Sequence, residues 1–463
     1  MIKRIIKILS FIIVIILLGM TTTVLLLKAG YFNSSIADKI SYYASRNINA
    51  DIKVESITGD VLSNFQVNDI LFTLYDDTLL YCEQIEVQHN VKYLLKKQIH
   101  LNKLFFSEIL IHAVQSADSV WNFSEIKSRN PTKNSTSSEF NWSIFLNDVQ
   151  LQNVLVHAEQ FEKSSYIPAY LESSIKLNAF YSEDNLNIVL DSLVLFTESP
   201  ELEVFQIMGD FNFSDGNFNW NNFFAELNTT QIQSQGKINL ESSTISPSWI
   251  KIEPLSLEDI QSFFPQIEIY GAPNIQLEAS GNEKRYDFSF TLKQDQQNIA
   301  LDAWLVNVKQ NPEYEFTLNV QEFDGEYWMH DEQFKSSIVG TLIAKGKGFD
   351  PKSNSFDLKG NFGDIKYGDY NLKDFVIKAS KQEDQFSGNI NSKTWMGILN
   401  LKFGLNKIFG DPQYEFYCEY QNINLKGLPS IDSISTNLNG NVYLSGQGKT
   451  LESLNSKLIV NLK

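Results

Sequence analysis

The sequence predicts a mainly β protein in which an N-terminal transmembrane helix precedes a long, curled antiparallel β-groove with a few short helices. Apolar and polar residues alternate in many segments, including residues 399–405 and 414–420. Such alternation is typical of strands with one apolar and one polar face. Residues 8–27 carry no charge, and a run of this length can cross a bilayer as a helix.

The bulk composition excludes several classes of protein. The 463 residues are 43% hydrophobic and 20% charged, which is typical of a folded chain and not of a disordered one. With 38 basic and 55 acidic residues, the formal net charge is −17, so we expect no nucleic-acid partner. Cys82 and Cys418 are the two cysteines, which excludes a disulfide framework and a multi-cysteine metal site.

The charges around the apolar run predict its orientation. Lys3, Arg4 and Lys7 precede the run, and Lys28 follows it. The positive-inside rule then places the N-terminus in the cytoplasm and the bulk of the chain in the periplasm, with a single pass through the inner membrane. A cleaved signal peptide is the alternative, but no Ala-x-Ala pair follows the run, which favours an uncleaved anchor.

Helical spacing after the anchor occurs only in short segments. Residues 33–48 predict an amphipathic helix with Ile36, Ile40, Tyr43 and Ala44 at helical spacing, which would lie either against the membrane or against the next element. Residues 91–99 and 256–265 predict two further short helices, the second with a capping pattern at its first residue.

The domain organisation follows from these changes in pattern. We assign residues 1–30 to the membrane anchor and residues 31–127 to an N-terminal β section with short helices. Residues 128–140 are rich in Ser, Thr and Asn, which predicts a mobile polar loop. Residues 141–463 form a repetitive β-groove that we expect to be truncated at its C-terminus.

Turns and a repeat organise the predicted strands. Asp215 and Gly216 lie between alternating aromatic residues and predict a two-residue hairpin, so neighbouring strands should be mostly antiparallel. Residues 254–281 and 423–448 share a loose pattern, which suggests a repeat of about 170 residues.

The apolar faces of so many strands need a cover. The spacing implies about 30 strands, more than an open sheet holds without curling, splitting or closing. A second sheet could cover the apolar face in a stack of sandwiches, or lipid could cover it in an outer-membrane barrel. The lack of linkers and the helical anchor favour a third arrangement, in which the sheet curls into a trough that needs an apolar guest.

No motif in the sequence supports catalysis. The five histidines show no His-x-x-x-His spacing, and Gly-x-Ser-x-Gly and phosphate-loop motifs are absent. We therefore expect no enzymatic activity, no cofactor and no metal.

The candidate site is the apolar lining of the groove, whose members are aliphatic or aromatic residues at alternating positions. They are Ile275, Leu277, Phe288, Phe290, Leu292, Ile299, Leu301, Phe316, Leu318, Val320, Phe356, Leu358, Leu399, Leu401, Phe403 and Phe416.

Several blocks of the N-terminal part resemble a known family. The block at residues 54–72 (VESITGDVLSNFQVNDILF) is followed at residues 78–126 by a strand, a short helix with a basic tail, two strands and the pair Trp121-Asn122. Residues 141–161 continue the pattern. This order resembles the AsmA-like superfamily and, within it, the TamB type of translocation and assembly module of diderm bacteria.

The resemblance implies both a fold and a function. It implies a taco-like β-groove, anchored in the inner membrane, that conducts phospholipid acyl chains across the periplasm toward the outer membrane. An alternative is a factor for assembly or secretion of outer-membrane proteins that acts by β-augmentation. The family usually ends in a C-terminal domain that engages an outer-membrane barrel partner, and residue 463 precedes any such domain.

Overall fold

The structure is a computed structural model that describes most of the chain. The described residues are 18–75, 77–127, 141–160, 167–198, 201–264, 268–368, 370–394, 396–427, 434–448 and 455–462. The predicted loop at 128–140 and the topology residues Lys3, Arg4 and Lys7 lie outside these ranges.

The described residues form 23 strands, which confirms the mainly β class. The chain divides into two units, Met1–Asn228 and Thr229–Lys463. The strands of the first unit are β1 (Asp51–Asp60), β2 (Asn64–Leu74), β3 (Asp77–His89), β4 (Gln98–Val114), β5 (Ser143–Glu159), β6 (Tyr170–Ser182), β7 (Asn185–Glu198), β8 (Glu201–Ser214) and β9 (Asn217–Leu227).

The second unit contains the remaining described strands. They are β10 (Thr230–Asn239), β11 (Thr244–Ile252), β12 (Asn274–Asn282), β13 (Arg285–Gln294), β14 (Gln297–Val306), β15 (Glu313–Phe323), β16 (Ser336–Lys347), β17 (Ser355–Tyr367), β18 (Tyr370–Gln382), β19 (Gln385–Thr394), β20 (Ile398–Asn406), β21 (Gln413–Ile423), β22 (Leu438–Gln447) and β23 (Asn455–Leu462).

Helices are few and short. The α-helices after residue 32 of the described chain are α1 (Asn33–Asn47), α2 (Leu257–Phe263) and α3 (Gly325–Met329). Short 3-10 turns occupy Val91–Lys96, Asn122–Glu125, Glu332–Phe334 and Leu425–Gly427. The predicted cap of α2 is confirmed, because the Ser256 hydroxyl accepts a hydrogen bond from the Asp259 amide.

The predicted membrane span at residues 8–27 is described only from residue 18 onward, where residues 18–28 are helical. In the described part of the chain, no helix combines the length and the apolar character needed to span a membrane. Residues 8–17 of the predicted span lie outside the described ranges, so the span stays a prediction.

The first unit is an open, curled sheet in which each strand pairs with the next along the chain. Asp215 and Gly216 form the predicted two-residue turn between β8 and β9, both with positive φ. The pairing is antiparallel with one exception, since β4 and β5 run parallel. A parallel neighbour requires a long crossover, and β4 ends at Val114 whereas β5 begins at Ser143.

The second unit is also an open, curled sheet, with β10 to β23 paired in chain order and antiparallel throughout. The prediction of about 30 strands was wrong for the described chain. Individual strands are longer than the alternation alone suggested, and β4 and β5 each reach 17 residues.

A repeat of 100 residues relates two parts of the second unit, while the repeat of about 170 residues stays a prediction. Tyr314 lies opposite Gly346, and Tyr414 lies opposite Gly446. The Gly348 amide donates to the Pro312 carbonyl at 2.7 Å, and the corresponding bond from Gly448 to Pro412 is 3.1 Å. The structural unit that recurs is therefore β14 to β16, repeated as β20 to β22.

Helix α1 covers the free edge of β1. The hydroxyls of Ser41 and Ser45, one turn apart, accept hydrogen bonds from the amides of Val54 and Ile52 at 2.9 and 2.7 Å. Ala37 of the same helix packs into the first apolar cluster of the sheet. A covered edge cannot pair with another strand, so α1 closes this end of the sheet.

We expect the double substitution Ser41→Ala and Ser45→Ala to loosen this edge. It removes the acceptors of two partly buried amides, at a cost of about 1 kcal/mol for each. Hydrogen exchange of the β1 amides should accelerate. Ser34→Ala with Ser35→Ala, on the exposed side of the same helix, is the matched control, and unchanged exchange in β1 would show that the hydroxyls do not protect the edge.

Candidate functional site

The strand register defines which side chains share a face of the second unit, because directly opposed residues in a ladder point to the same side. Leu401 lies opposite Ile390 on one side and Cys418 on the other. Phe403, two residues along β20, lies opposite Gly388 and Phe416. These pairs extend from strand to strand into rows that cross the sheet.

The central row runs from β11 to β23 without a charged residue. Its members are Ile250, Leu277, Phe290, Leu301, Leu318, Leu342, Gly360, Ile377, Ile390, Leu401, Cys418, Val442 and Val460.

A second row lies beside the central row, two residues along each strand, and is also uncharged. Its members are Ala279, Phe288, Ala303, Phe316, Ala344, Leu358, Ala379, Gly388, Phe403, Phe416, Leu444 and Leu458.

The register places all sixteen predicted lining residues on the face that carries these two rows, here called the apolar face. Each of the sixteen is half-buried or more exposed. Leu277 is 39% exposed and Phe288 is 38% exposed. In a sandwich, a facing sheet would bury such residues. No second layer among the described residues therefore covers the apolar face.

Sequence reasoning missed several members of the same face. Leu342 and Ala344 of β16 continue the rows, as do Ile377 and Ala379 of β18. These strands contain Gly, Ala, Ser or Lys at alternate positions, so their apolar pattern is weak. Only the pairing with β15 and β17 shows where their side chains point.

Glycines let aromatic rings lie flat across neighbouring strands. A Cβ on Gly346 would lie 2.4 Å from the Tyr314 ring, and one on Gly446 would lie 2.5 Å from the Tyr414 hydroxyl oxygen. A larger residue at either position would displace the ring. The repeat therefore extends to the side chains of the apolar face, where the same Tyr–Gly contact recurs after 100 residues.

The opposite face carries the charges. Glu315 pairs with Lys345 at 2.9 Å and Glu313 with Lys347 at 3.0 Å, directly across β15 and β16. A shallow cavity of about 570 Å³ also lies on this face, and Arg285, Glu278 and Asp302 are among its lining residues. Its charged lining is unsuited to acyl chains, whose transfer needs a continuous apolar strip.

One cation lies on the side of the apolar rows. Lys381 is opposite Phe356 and Phe386 in the register and is only 7% exposed. Its ammonium donates to the carbonyls of Pro351 and Glu383 at 2.8 and 2.5 Å. It also donates to the carbonyl and the side-chain oxygen of Asn354, at 3.2 and 2.6 Å. The charge is thus turned into the loops at the end of the strands and away from the central row.

The two thiols lie on apolar faces and show no sign of activation. Cys418 belongs to the central row, and burial raises the pKa of its thiol. Burial likewise raises the pKa of Cys82 in the first unit. A raised pKa keeps a thiol protonated and less nucleophilic. Within the described ranges, no three His, Cys, Asp or Glu side chains are grouped to hold a metal ion.

The first unit has its own apolar face, which the sequence did not assign to either side of its strands. A row with no charged member crosses from β1 to β9 as Val54, Ile70, Cys82, Ile109, Val154, Ser173, Leu195, Val204 and Leu227. Six of the nine members are buried, from Val54 of β1 at 7% exposed to Val204 of β8 at 3%.

Comparison with known proteins identifies no relative. No family model, no curated protein and no solved structure matches this chain.

Proposed function

We propose that this chain is an inner-membrane-anchored periplasmic bridge, of the TamB type within the AsmA-like superfamily, that conducts phospholipid toward the outer membrane along its apolar face. The observation that carries the proposal is the central row, which crosses thirteen strands of one unit without a charge while every member except Gly360 stays partly open to solvent. Transport involves no covalent step, and the chain acts as a conduit and not as an enzyme.

The spacing of the rows suits acyl chains. Neighbouring rows lie two residues apart along a strand, about 7 Å, so the furrow between them has roughly the width of one extended hydrocarbon chain. Contact worth about 0.8 kcal/mol for each buried CH₂ offsets extraction from a bilayer. Because the repeat presents similar surfaces in succession, no single site holds the lipid much more tightly than the next.

The ends of the conduit are part of the proposal. Residues 8–27 anchor the chain in the inner membrane, and the positive charges before them orient the bulk of the chain into the periplasm. The resemblance described above adds an outer-membrane barrel partner.

Assembly of outer-membrane proteins by β-augmentation is less well supported. That mechanism requires an unpaired strand edge as a template. At β1 the edge amides of Ile52 and Val54 are already bonded to α1. This edge is therefore closed to a client strand, and augmentation would have to use β23, which pairs only with β22 among the described strands.

Photo-crosslinking in cells tests the conduit directly. A benzophenone amino acid in place of Phe403 or Phe316, on the apolar face, should capture phospholipid, because the bound acyl chains lie against these positions. The matched controls replace Lys402 and Thr317, the adjacent residues on the opposite face. Adducts that contain only protein, or equal lipid capture at the control positions, would rule out the conduit.

Native mass spectrometry separates lipid transport from protein assembly. If the chain conducts lipid, the intact chain released from membranes without added lipid should retain bound phospholipid. An assembly factor would instead retain client polypeptide and no lipid.

A further inference from the structure

Helix α1 has a second face that the sheet does not cover. Ile40 and Tyr43, which the sequence places on the apolar side of this helix, do not pack on the sheet. Ile40 is 41% exposed, and Tyr42 and Tyr43 are each 59% exposed. Ala37, Ser41 and Ser45 make the contacts with β1 instead. Small side chains let the helix approach the edge closely, and the two hydroxyls accept hydrogen bonds from its free amides.

The exposed residues of α1 continue an apolar surface that begins before it. In the helix at residues 18–28, Leu18, Met20 and Leu25 are 61%, 63% and 61% exposed. Tyr31, in the turn between the two helices, is 73% exposed. Exposed apolar groups in such density mark a surface that contacts another phase or molecule.

The chemistry of this surface is that of a membrane interface. Tyrosines combine an apolar ring with a polar tip and are enriched where hydrocarbon meets headgroups. Arg46 lies 6.0 Å from the centre of the Tyr42 ring and donates to its hydroxyl at 3.4 Å. An interfacial helix places such cations at the level of the headgroups.

The local charge is opposite to that of the whole chain. Between residues 28 and 47 the cations Lys28, Lys39 and Arg46 outnumber the one acid, Asp38, whereas the full chain has a formal net charge of −17. Cations beside a bilayer are attracted to anionic lipids.

We propose that α1 lies in the bilayer interface, with Tyr31, Tyr42 and Tyr43 among the headgroups and with Lys39 and Arg46 on anionic lipid. Its other face holds the first strand, so α1 seats the start of the first unit's apolar face at the membrane surface. This inference rests on the membrane anchor of the proposed function, but it assigns a separate lipid-binding surface to residues that do not line the conduit.

The test compares two exposed tyrosines of the full chain in vesicles. A benzophenone amino acid replaces Tyr42 in one variant and Tyr75, which is 73% exposed in the turn after β2, in the other. In vesicles of phosphatidylcholine and phosphatidylglycerol at a ratio of 3:1, Tyr42 should give about ten times more lipid adduct than Tyr75. Phosphatidylcholine alone should lower the yield at Tyr42.

Charge substitutions test the role of the cations. Lys39→Gln with Arg46→Gln should remove the dependence on phosphatidylglycerol, with a loss of about fivefold in interfacial occupancy for each charge. Lys92→Gln, an exposed cation away from α1, is the control.

Two results would overturn the inference: equal lipid capture at Tyr42 and Tyr75, or capture of protein alone at Tyr42. Either can occur while Phe403 still captures lipid, so failure of this inference is distinct from failure of the conduit. Capture at Tyr42 without capture at Phe403 would leave the interfacial helix in place and refute transport.

Discussion

Leu401→Asp should stop lipid transfer while the protein still accumulates in folded form. Leu401 is in the central row, between Ile390 and Cys418, so an acyl chain that passes must contact the new carboxylate. An added barrier of about 3 kcal/mol from an ion against hydrocarbon lowers the transfer rate about 100-fold. The folded state loses less, because Leu401 is only partly buried and the carboxylate stays in contact with water when no lipid is bound.

Two crosslinkers locate the block. With transfer from the first unit toward the C-terminus, a benzophenone at Phe316 should still capture lipid in the Leu401→Asp background, and one at Leu444 should not. The control is Asn400→Asp, which adds the same charge one residue away on the opposite face and should leave both positions active. Capture at Leu444 at the unsubstituted level would contradict a continuous path, and an unfolded variant would indicate a closed core.

Lys381→Met should destabilise the second unit by about 2–4 kcal/mol, the range expected for loss of several hydrogen bonds from a buried charge. The methionine keeps most of the aliphatic volume but leaves the carbonyls of Pro351, Asn354 and Glu383 without their shared donor. Hydrogen exchange should accelerate in β17 and β18, because Pro351 and Asn354 lie in the loop before β17 and Glu383 lies in the turn after β18.

A neighbouring lysine provides the comparison for Lys381. Lys378 lies on the same strand, points to the opposite face and is exposed. Lys378→Met should therefore leave exchange in β17 and β18 nearly unchanged. Equal effects of the two substitutions would show that the ammonium of Lys381 does not organise the loops.

The 100-residue repeat indicates how the apolar face could be lengthened by adding strands. The pairs Tyr314 with Gly346 and Tyr414 with Gly446 repeat with the same register. In repeat proteins each unit contacts mainly its neighbours, so added units lengthen the surface without changing its cross-section. A conduit needs this property, because a change in width along the path would trap the lipid.

The alternation of apolar residues was sufficient to identify β14, β15, β20 and β21 and to choose their apolar side. Period-two patterning is local, and it assigns faces wherever large apolar residues occupy every second position. The same logic identified the hairpin at Asp215-Gly216 and the cap at Ser256, since both depend on residues close in sequence.

Other features depended on partners distant in sequence. The parallel pairing of β4 and β5 and the 100-residue repeat could not be predicted from the local pattern. The orientation of the β16 and β18 side chains could not be predicted either, because glycine and alanine do not distinguish an apolar face from a polar one. The role of α1 also required the structure, since its periodicity left open whether its apolar side lies against the membrane or against the next element. The edge of β1 instead selected Ser41 and Ser45 through hydrogen bonds to backbone amides.

The sequence by itself determined that this protein is built from strands with one apolar face, that no recognisable catalytic motif is present, and that sixteen particular residues belong to the apolar pattern. Each of these properties is encoded in residues near one another along the chain. The tertiary structure alone decided that the sixteen share one uninterrupted face, that no described layer covers it, and that Lys381 is turned away from its central row. These properties depend on register, and register is set by backbone hydrogen bonds between strands that the local pattern cannot specify.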